Sequence, residues 1–146
     1  MKSGDEVFST LEEEVLSVRL RGAHEQVTAT RKSSAAPFRD RFERAGARTE
    51  CASTPELEAA LKQTFSIRAR QSLDANAFER LMALPKVDVI ELEVIGPGKA
   101  IDPFRLSLAS SVDRKRAPHV EAFLREYESA FSVDARVLDL LALPCR

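Results

Sequence analysis

"VLSVRLRGAHEQVTATRK", Val15–Lys32, is the stretch on which the fold turns. Leu16, Val18 and Leu20 alternate with Ser17, Arg19 and Arg21, and Gly22 separates this run from a second one containing Val27 and Ala29. A period of two puts apolar side chains on one face of an extended chain. Two such runs about a glycine therefore predict a β-hairpin with one buried face. Setting Leu20 opposite Val27 and Val18 opposite Ala29 leaves a loop of about Gly22–Glu25, a common hairpin length.

A second hairpin is expected in "VDVIELEVIGPGKAIDPFRLSLASS", Val87–Ser111. Ile90, Leu92 and Val94 alternate with Glu91 and Glu93, and Phe104, Leu106 and Leu108 alternate with Arg105 and Ser107. Matching Leu92 with Phe104 would set Glu91 opposite Arg105 on the outer face, a favourable cross-strand pair. Pro103, lacking an N–H, suggests that the returning strand lies at a sheet edge near its start.

Around these hairpins the pattern is helical. "EVFSTLEEE", Glu6–Glu14, suits a short opening helix. In "SSAAPFRDRFERAG", Ser33–Gly46, Pro37 can open a helix and Gly46 close it, with Phe38 and Phe42 four apart and Arg39–Glu43 and Asp40–Arg44 as charge pairs. "ARTECA" reads as extended. "STPELEAALKQTF", Ser53–Phe65, has Thr54 as N-cap, Pro55 at the first helical position and a Leu57, Leu61, Phe65 stripe. "SIRARQ" fits either a frayed helix end or a short strand. "SLDANAFERLMALP", Ser72–Pro85, has Asp74 as N-cap, Leu73 and Phe78 at the spacing of a hydrophobic staple, and Pro85 as its stop. "APHVEAFLREYESAF", Ala117–Phe131, puts Val120, Phe123, Leu124, Tyr127 and Phe131 on one broad helical face, and "SVDARVLDLLALP", Ser132–Pro144, follows as a further helix.

The fold class is thus α+β, an antiparallel sheet from two β-hairpins packed against helices, in a single domain over residues 1–146. The order hairpin, helix, helix occurs twice, over roughly residues 14–85 and 88–144, the first with an insertion near 33–50. "SLDANAFERLMALP" and "SVDARVLDLLALP" match with one gap. Two explanations stand: a tandem ββαα duplication with pseudo-two-fold symmetry, or unrelated elements obeying the same rules, since Ala, Leu, Glu and terminal Pro suit any such helix.

Composition narrows the function classes. A chain of 146 residues can bury about two-thirds of its unfolded surface. A net charge of −1 favours neither nucleic acid nor membrane. No apolar run approaches the ~18 residues of a spanning helix, and the acidic N-terminus resembles neither a signal nor a transit peptide. Two cysteines fit reduced thiols in a cytoplasmic setting rather than a disulfide framework.

Catalytic motifs find little support. "GPGK", Gly96–Lys99, lacks the spacing and the following Ser/Thr and helix of a phosphate loop, so a hairpin loop is the simpler account. Cys51 precedes a helix start, which can lower a thiol pKa, but no motif links it to His24 or His119, and Cys145 adjoins the chain end. A buried structural thiol is the ordinary alternative. Histidines and cysteines have no metal-ligand spacing, and Glu91 with Glu93 reads as a solvated strand face. The expectation is a non-enzymatic protein without metal or cofactor.

Two binding surfaces are candidates. Apolar helix faces around Phe123, Tyr127, Phe131 and Leu140 suit a protein partner or self-association, as in an adaptor, a chaperone-like protein or a complex subunit. The competing account is that the core consumes them. Alternatively, Arg19, Arg21, Arg31, Lys32, Arg39, Arg41 and Arg44, with Arg114, Lys115 and Arg116 of "DRKR", could track RNA or another polyanion. Against this, charged runs are usually solvated faces, and RNA-binding strand or loop signatures are missing.

Overall fold

The computed structural model describes residues 6–9, 14–23, 25–33, 35–44, 47–51, 54–96, 104–109 and 118–142. In chain order the elements are β1 (Glu6–Ser9), β2 (Ser17–Arg21), β3 (Glu25–Thr30), β4 (Arg39–Arg44), β5 (Ala47–Cys51), α1 (Pro55–Phe65), β6 (Ser66–Arg68), β7 (Gln71–Ser72), α2 (Ala75–Met82), β8 (Val89–Ile95), β9 (Phe104–Ala109), β10 (His119–Leu124) and β11 (Ser129–Asp134), followed by a 3₁₀ segment, Ala135–Ala142. The class is α+β. Nine of the described strands form one antiparallel sheet in the order β5-β4-β3-β2-β8-β9-β10-β11-β7, and β1 pairs with β6 in a separate ribbon.

The first hairpin has the register its alternation implied: Leu20 pairs with Val27 and Val18 with Ala29. The second is shifted by two residues, pairing Leu92 with Leu106, Glu93 with Arg105 and Val94 with Phe104. An even shift keeps every side chain on its expected face. It also sets Ile90 against Leu108, both buried. Pro103 and residues 97–100 lie outside the described residues.

Both α-helices form where their caps stand. The Thr54 hydroxyl accepts from the Leu57 N–H at 3.1 Å, with Pro55 at the first turn and Leu57, Leu61 and Phe65 buried. The Asp74 carboxylate accepts from the Ala77 N–H at 2.8 Å and starts α2. "SIRARQ" resolves into strand: β6 pairs with β1, and β7 sets Ser72 opposite Phe131.

Three expected helices are strands instead. Residues 6–9 form β1. Residues 39–44 form β4, paired along its whole length with β3. The Phe38–Phe42 spacing of four fits a helix and a strand equally, and β4 gains a six-residue ladder where a helix would have gained only exposed charge pairs. Residues 119–134 are a hairpin, with His119 opposite Asp134 and Leu124 opposite Ser129. Val120, Ala122 and Leu124 point to one face and Phe123 to the other, and all four are buried. A strand buried on both faces mimics a helical stripe. Ser132–Asp134 completes β11, so the last expected helix shortens to the 3₁₀ segment.

Among the described residues, 88–144 thus supply four strands and 3₁₀ turns, whereas 14–85 supply six strands and two α-helices. The structure shows no internal repeat or symmetry, and the ββαα duplication is not supported.

The sheet has two unequal cores. On one face α1 and the 3₁₀ segment bring Leu57, Leu61, Phe65, Val137, Leu138 and Leu140 onto Val18, Leu20, Leu92, Leu106 and Phe131. On the other, α2 brings Leu81, Leu73 and Phe78 onto Val89, Ala109, Phe123 and Ala130. This second cover reaches only the β8–β11 end. Over β2–β5 and the adjoining parts of β8 and β9, no described helix lies on that face.

Candidate functional site: the open face of the sheet

Ladder register converts outward positions into rows across the sheet. One row runs Glu50, Arg41, Thr28, Arg19, Glu93, Arg105, from β5 through β4, β3, β2 and β8 to β9. Its neighbour runs Arg48, position 43, Gln26, Arg21, Glu91, Ser107 and ends at Phe123 of β10, beneath α2. Arg39, opposite Thr30, shares the face of Arg41. Most of the arginines marked in the sequence between residues 19 and 41 therefore converge on one surface.

Carboxylates are interleaved with them. Glu50 accepts from Arg41 Nε at 3.1 Å and also pairs with Arg48. The hydrogen bond and charge of Arg48, then Arg41, hold the Glu50 carboxyl below its usual value. Glu93 lies 3.0 Å from Arg105 Nε and 3.9 Å from Arg19 Nη1. Glu91 accepts from the Ser107 hydroxyl at 2.9 Å and faces Arg125 at 3.6 Å. By register position, Arg19, Arg21, Arg39, Arg41, Arg48 and Arg105 stand against Glu43, Glu50, Glu91 and Glu93, six cationic positions to four anionic ones. Arg21 and Arg39 carry no ion pair among the described residues. The Arg19 Nε is buried with no acceptor, a position that ordinarily costs about 1–3 kcal/mol.

The other marked residues lie elsewhere. Arg31 donates from Nε to the Val15 carbonyl at 2.7 Å, and its guanidinium sits 4.4 Å over the Phe38 ring, pinning the end of β3 to the main core. Lys32 is exposed beyond β3, and Arg44 is placed by its backbone pairing with Glu25. Arg114, Lys115 and Arg116 lie outside the described residues. Among the apolar set, Phe123, Phe131 and Leu140 are built into the protein's own cores, and Tyr127 is 74 % exposed in the β10–β11 turn. The expected apolar helix face is absent because its residues form a hairpin. Cys51 ends β5, whereas His119 begins β10 in the other half of the sheet; His24 and Cys145 lie outside the described residues.

Arg105 and the three carboxylates Glu50, Glu91 and Glu93 were the members sequence reasoning missed as part of a site. Their signal was present in strand alternation, but cross-strand partners follow only from register. Where the open face meets α2, Arg125 bridges the two: it lies 5.0 Å over the Phe123 ring and contacts both Met82 and Glu91. Arg80 of α2 forks onto Glu121 of β10 at 2.6 and 3.3 Å, which raises the Arg80 pKa.

Chemically, the surface is a mixed-charge platform. Among the described residues, no group of three or more His, Cys, Asp or Glu side chains gathers as a metal ion would require, and no helix is long and apolar enough to cross a membrane. Comparisons with protein-family models, with curated proteins and with solved structures found no match to this chain.

Proposed function

We propose that this chain is a non-enzymatic binding domain that recognises a protein partner of mixed but net acidic surface through the open face of its sheet. The observation that supports this is the row geometry: paired Arg and Glu at fixed strand spacing, with arginines in excess. A protein surface bearing both signs can meet such a platform in one register, and complementary charge serves specificity and encounter rate. Interaction is thus assigned to the sheet rather than to the apolar helix faces inferred from sequence.

RNA or another polyanion is the second reading, favoured by the convergence of Arg19, Arg21, Arg39 and Arg41. Glu91 and Glu93 weigh against it, because a phosphate backbone crossing β8 would meet like charge. The described part of this face also offers no exposed aromatic ring for base stacking.

The test compares wild type with the Arg21→Glu/Arg39→Glu variant, whose substitutions disturb no described ion pair. Captured proteins should survive nuclease treatment with wild type and be lost with the variant, while RNA and heparin bind weakly at physiological salt. Nuclease-sensitive capture, with RNA affinity falling steeply as salt rises, would instead establish the polyanion reading. Capture unchanged by the double reversal would exclude the open face.

A further inference from the structure

The two edges of the large sheet are built differently. At one end stands β7, only two residues long, a length that offers little to an incoming strand. At the other stands β5, five residues long, and β4 is the only described strand that pairs with it. Its ladder runs without a bulge from Ala47 to Cys51 and the strand contains no proline; its two charges, Arg48 and Glu50, are of opposite sign and so repel a like-charged strand but not a complementary one. Arg48, Thr49 and Glu50 are all exposed.

We propose that the free edge of β5 is the docking site for β5 of a second copy of this chain, giving a two-fold dimer with one continuous sheet. The occupant is argued from charge. An antiparallel pairing centred on Thr49 brings each strand's Arg48 opposite the partner's Glu50, and each Glu50 opposite the partner's Arg48. In the single chain, Arg48 and Glu50 lie two residues apart on one face and are paired with each other. Docking exchanges that contact for two cross-strand pairs, the arrangement that stabilises antiparallel neighbours. Because the same strand meets itself across a two-fold axis, the contact is self-complementary and closes at two rather than growing into a fibre. It goes beyond partner recognition on the open face, and it extends that face across the dimer axis.

The test uses charge swapping in the full chain, read by sedimentation equilibrium across a wide concentration range. Wild type should show a monomer–dimer equilibrium. Arg48→Glu places glutamates opposite one another, and Glu50→Arg does the same with arginines; each should weaken self-association by roughly tenfold or more. Mixing the two variants restores Arg–Glu pairing at both contacts, so the mixture should form a heterodimer, and Arg48→Glu/Glu50→Arg should again self-associate. A purely structural role for either residue would not produce rescue by mixing. As an independent measurement, Thr49→Cys in a Cys51→Ser/Cys145→Ser background should give a disulfide-linked dimer under mild oxidation. A wild-type chain monomeric at every concentration, an oligomer beyond the dimer, single variants that associate like wild type, or a mixture that stays monomeric would each overturn the inference. Arg21→Glu/Arg39→Glu, altered on β2 and β4, should keep the dimer while losing the partner, so the two proposals fail separately.

Discussion

Replacing Phe123 by alanine separates an anchor held for a partner from a support of the fold. Phe123 is 0 % exposed and meets Phe78 of α2 edge-to-face with ring centroids 6.3 Å apart. With Val89, Ala109 and Ala130 it forms the apolar floor on which Leu81 and Phe78 pack. Removing about 100 Å² of buried ring surface at ~25 cal/mol per Å² costs about 2.5 kcal/mol. The cavity left under α2 and the lost aromatic pair bring the total to about 4 kcal/mol, within the usual range for such truncations. With a urea slope of about 2 kcal/mol per molar, the unfolding midpoint should fall by roughly 2 M. Tyr127→Ala is the control: at 74 % exposure it should move stability by less than about 0.5 kcal/mol. A midpoint shift under about 0.5 M for Phe123→Ala at unchanged slope, or equal shifts for the two variants, would refute the placement of α2 and the hairpin beneath it.

Three further outcomes rest on the backbone and the charges. Glu128 is the one non-glycine among the described residues with positive φ, at φ 48° and ψ 41° in the β10–β11 turn, so Glu128→Gly should stabilise by up to about 1 kcal/mol in urea unfolding, against the loss expected were 118–131 a helix. Burial acts to raise the Asp134 carboxyl, but hydrogen bonds from the Arg136 side chain and backbone and from Arg70 outweigh it and leave its pKa below the usual 3.8; Asp139 is raised, by burial first and then by Asp134. A lowered folded pKa adds stability that is complete above the unfolded value and disappears as pH falls through the folded one. Asp134→Asn should therefore lose stability at neutral pH, with the deficit closing below about pH 3.8. The sign is opposite for Asp139: Asp139→Asn should gain stability at neutral pH, and the gain should vanish in acid. Urea midpoints measured against pH check both, and parallel curves for the two variants would contradict the assignment.

How much of this structure was legible from residues depended on how many faces of each element are buried. The β2–β3 hairpin could be registered from its alternation because only Val18, Leu20, Val27 and Ala29 face a core. The capped helices α1 and α2 were legible because Thr54 and Asp74 act through local chemistry. At β10 that local logic misleads. Its apolar residues serve two cores, the turn after it carries Arg125–Tyr127 with no glycine or asparagine, and Glu128 takes the left-handed conformation regardless. Arg125, Glu126 and Glu128 are good helix formers, a preference that tertiary packing overrides. The site was half legible for a related reason. Individual arginines stand out in a sequence, but Glu93 serving both Arg19 and Arg105 requires three strands in register.

The division of the sheet's second face shows what the outward positions encode. Along β8, β9, β10 and β11 the outward residues beneath α2 are Val89, Ala109, Phe123 and Ala130, apolar or small; along β2, β3 and β4 they are Arg19, Thr28 and Arg41. A short helix such as α2, with Leu81 fully buried and Phe78 half-buried, can cover only the first group. Placing it over the second would bury arginines together with the carboxylate partners that share their face, at a desolvation cost that such pairs do not recover. Among the described residues, the charged rows therefore keep a second layer off β2–β5, and that same exclusion leaves their strand surface and the β5 edge uncovered by any described element. Under this logic the open platform is a consequence of which outward positions are charged, and no single pair decides it: with Arg19, Glu93 and Arg105 replaced together by Thr, Arg21, Arg39, Arg41, Arg48, Glu50 and Glu91 still keep the face solvated.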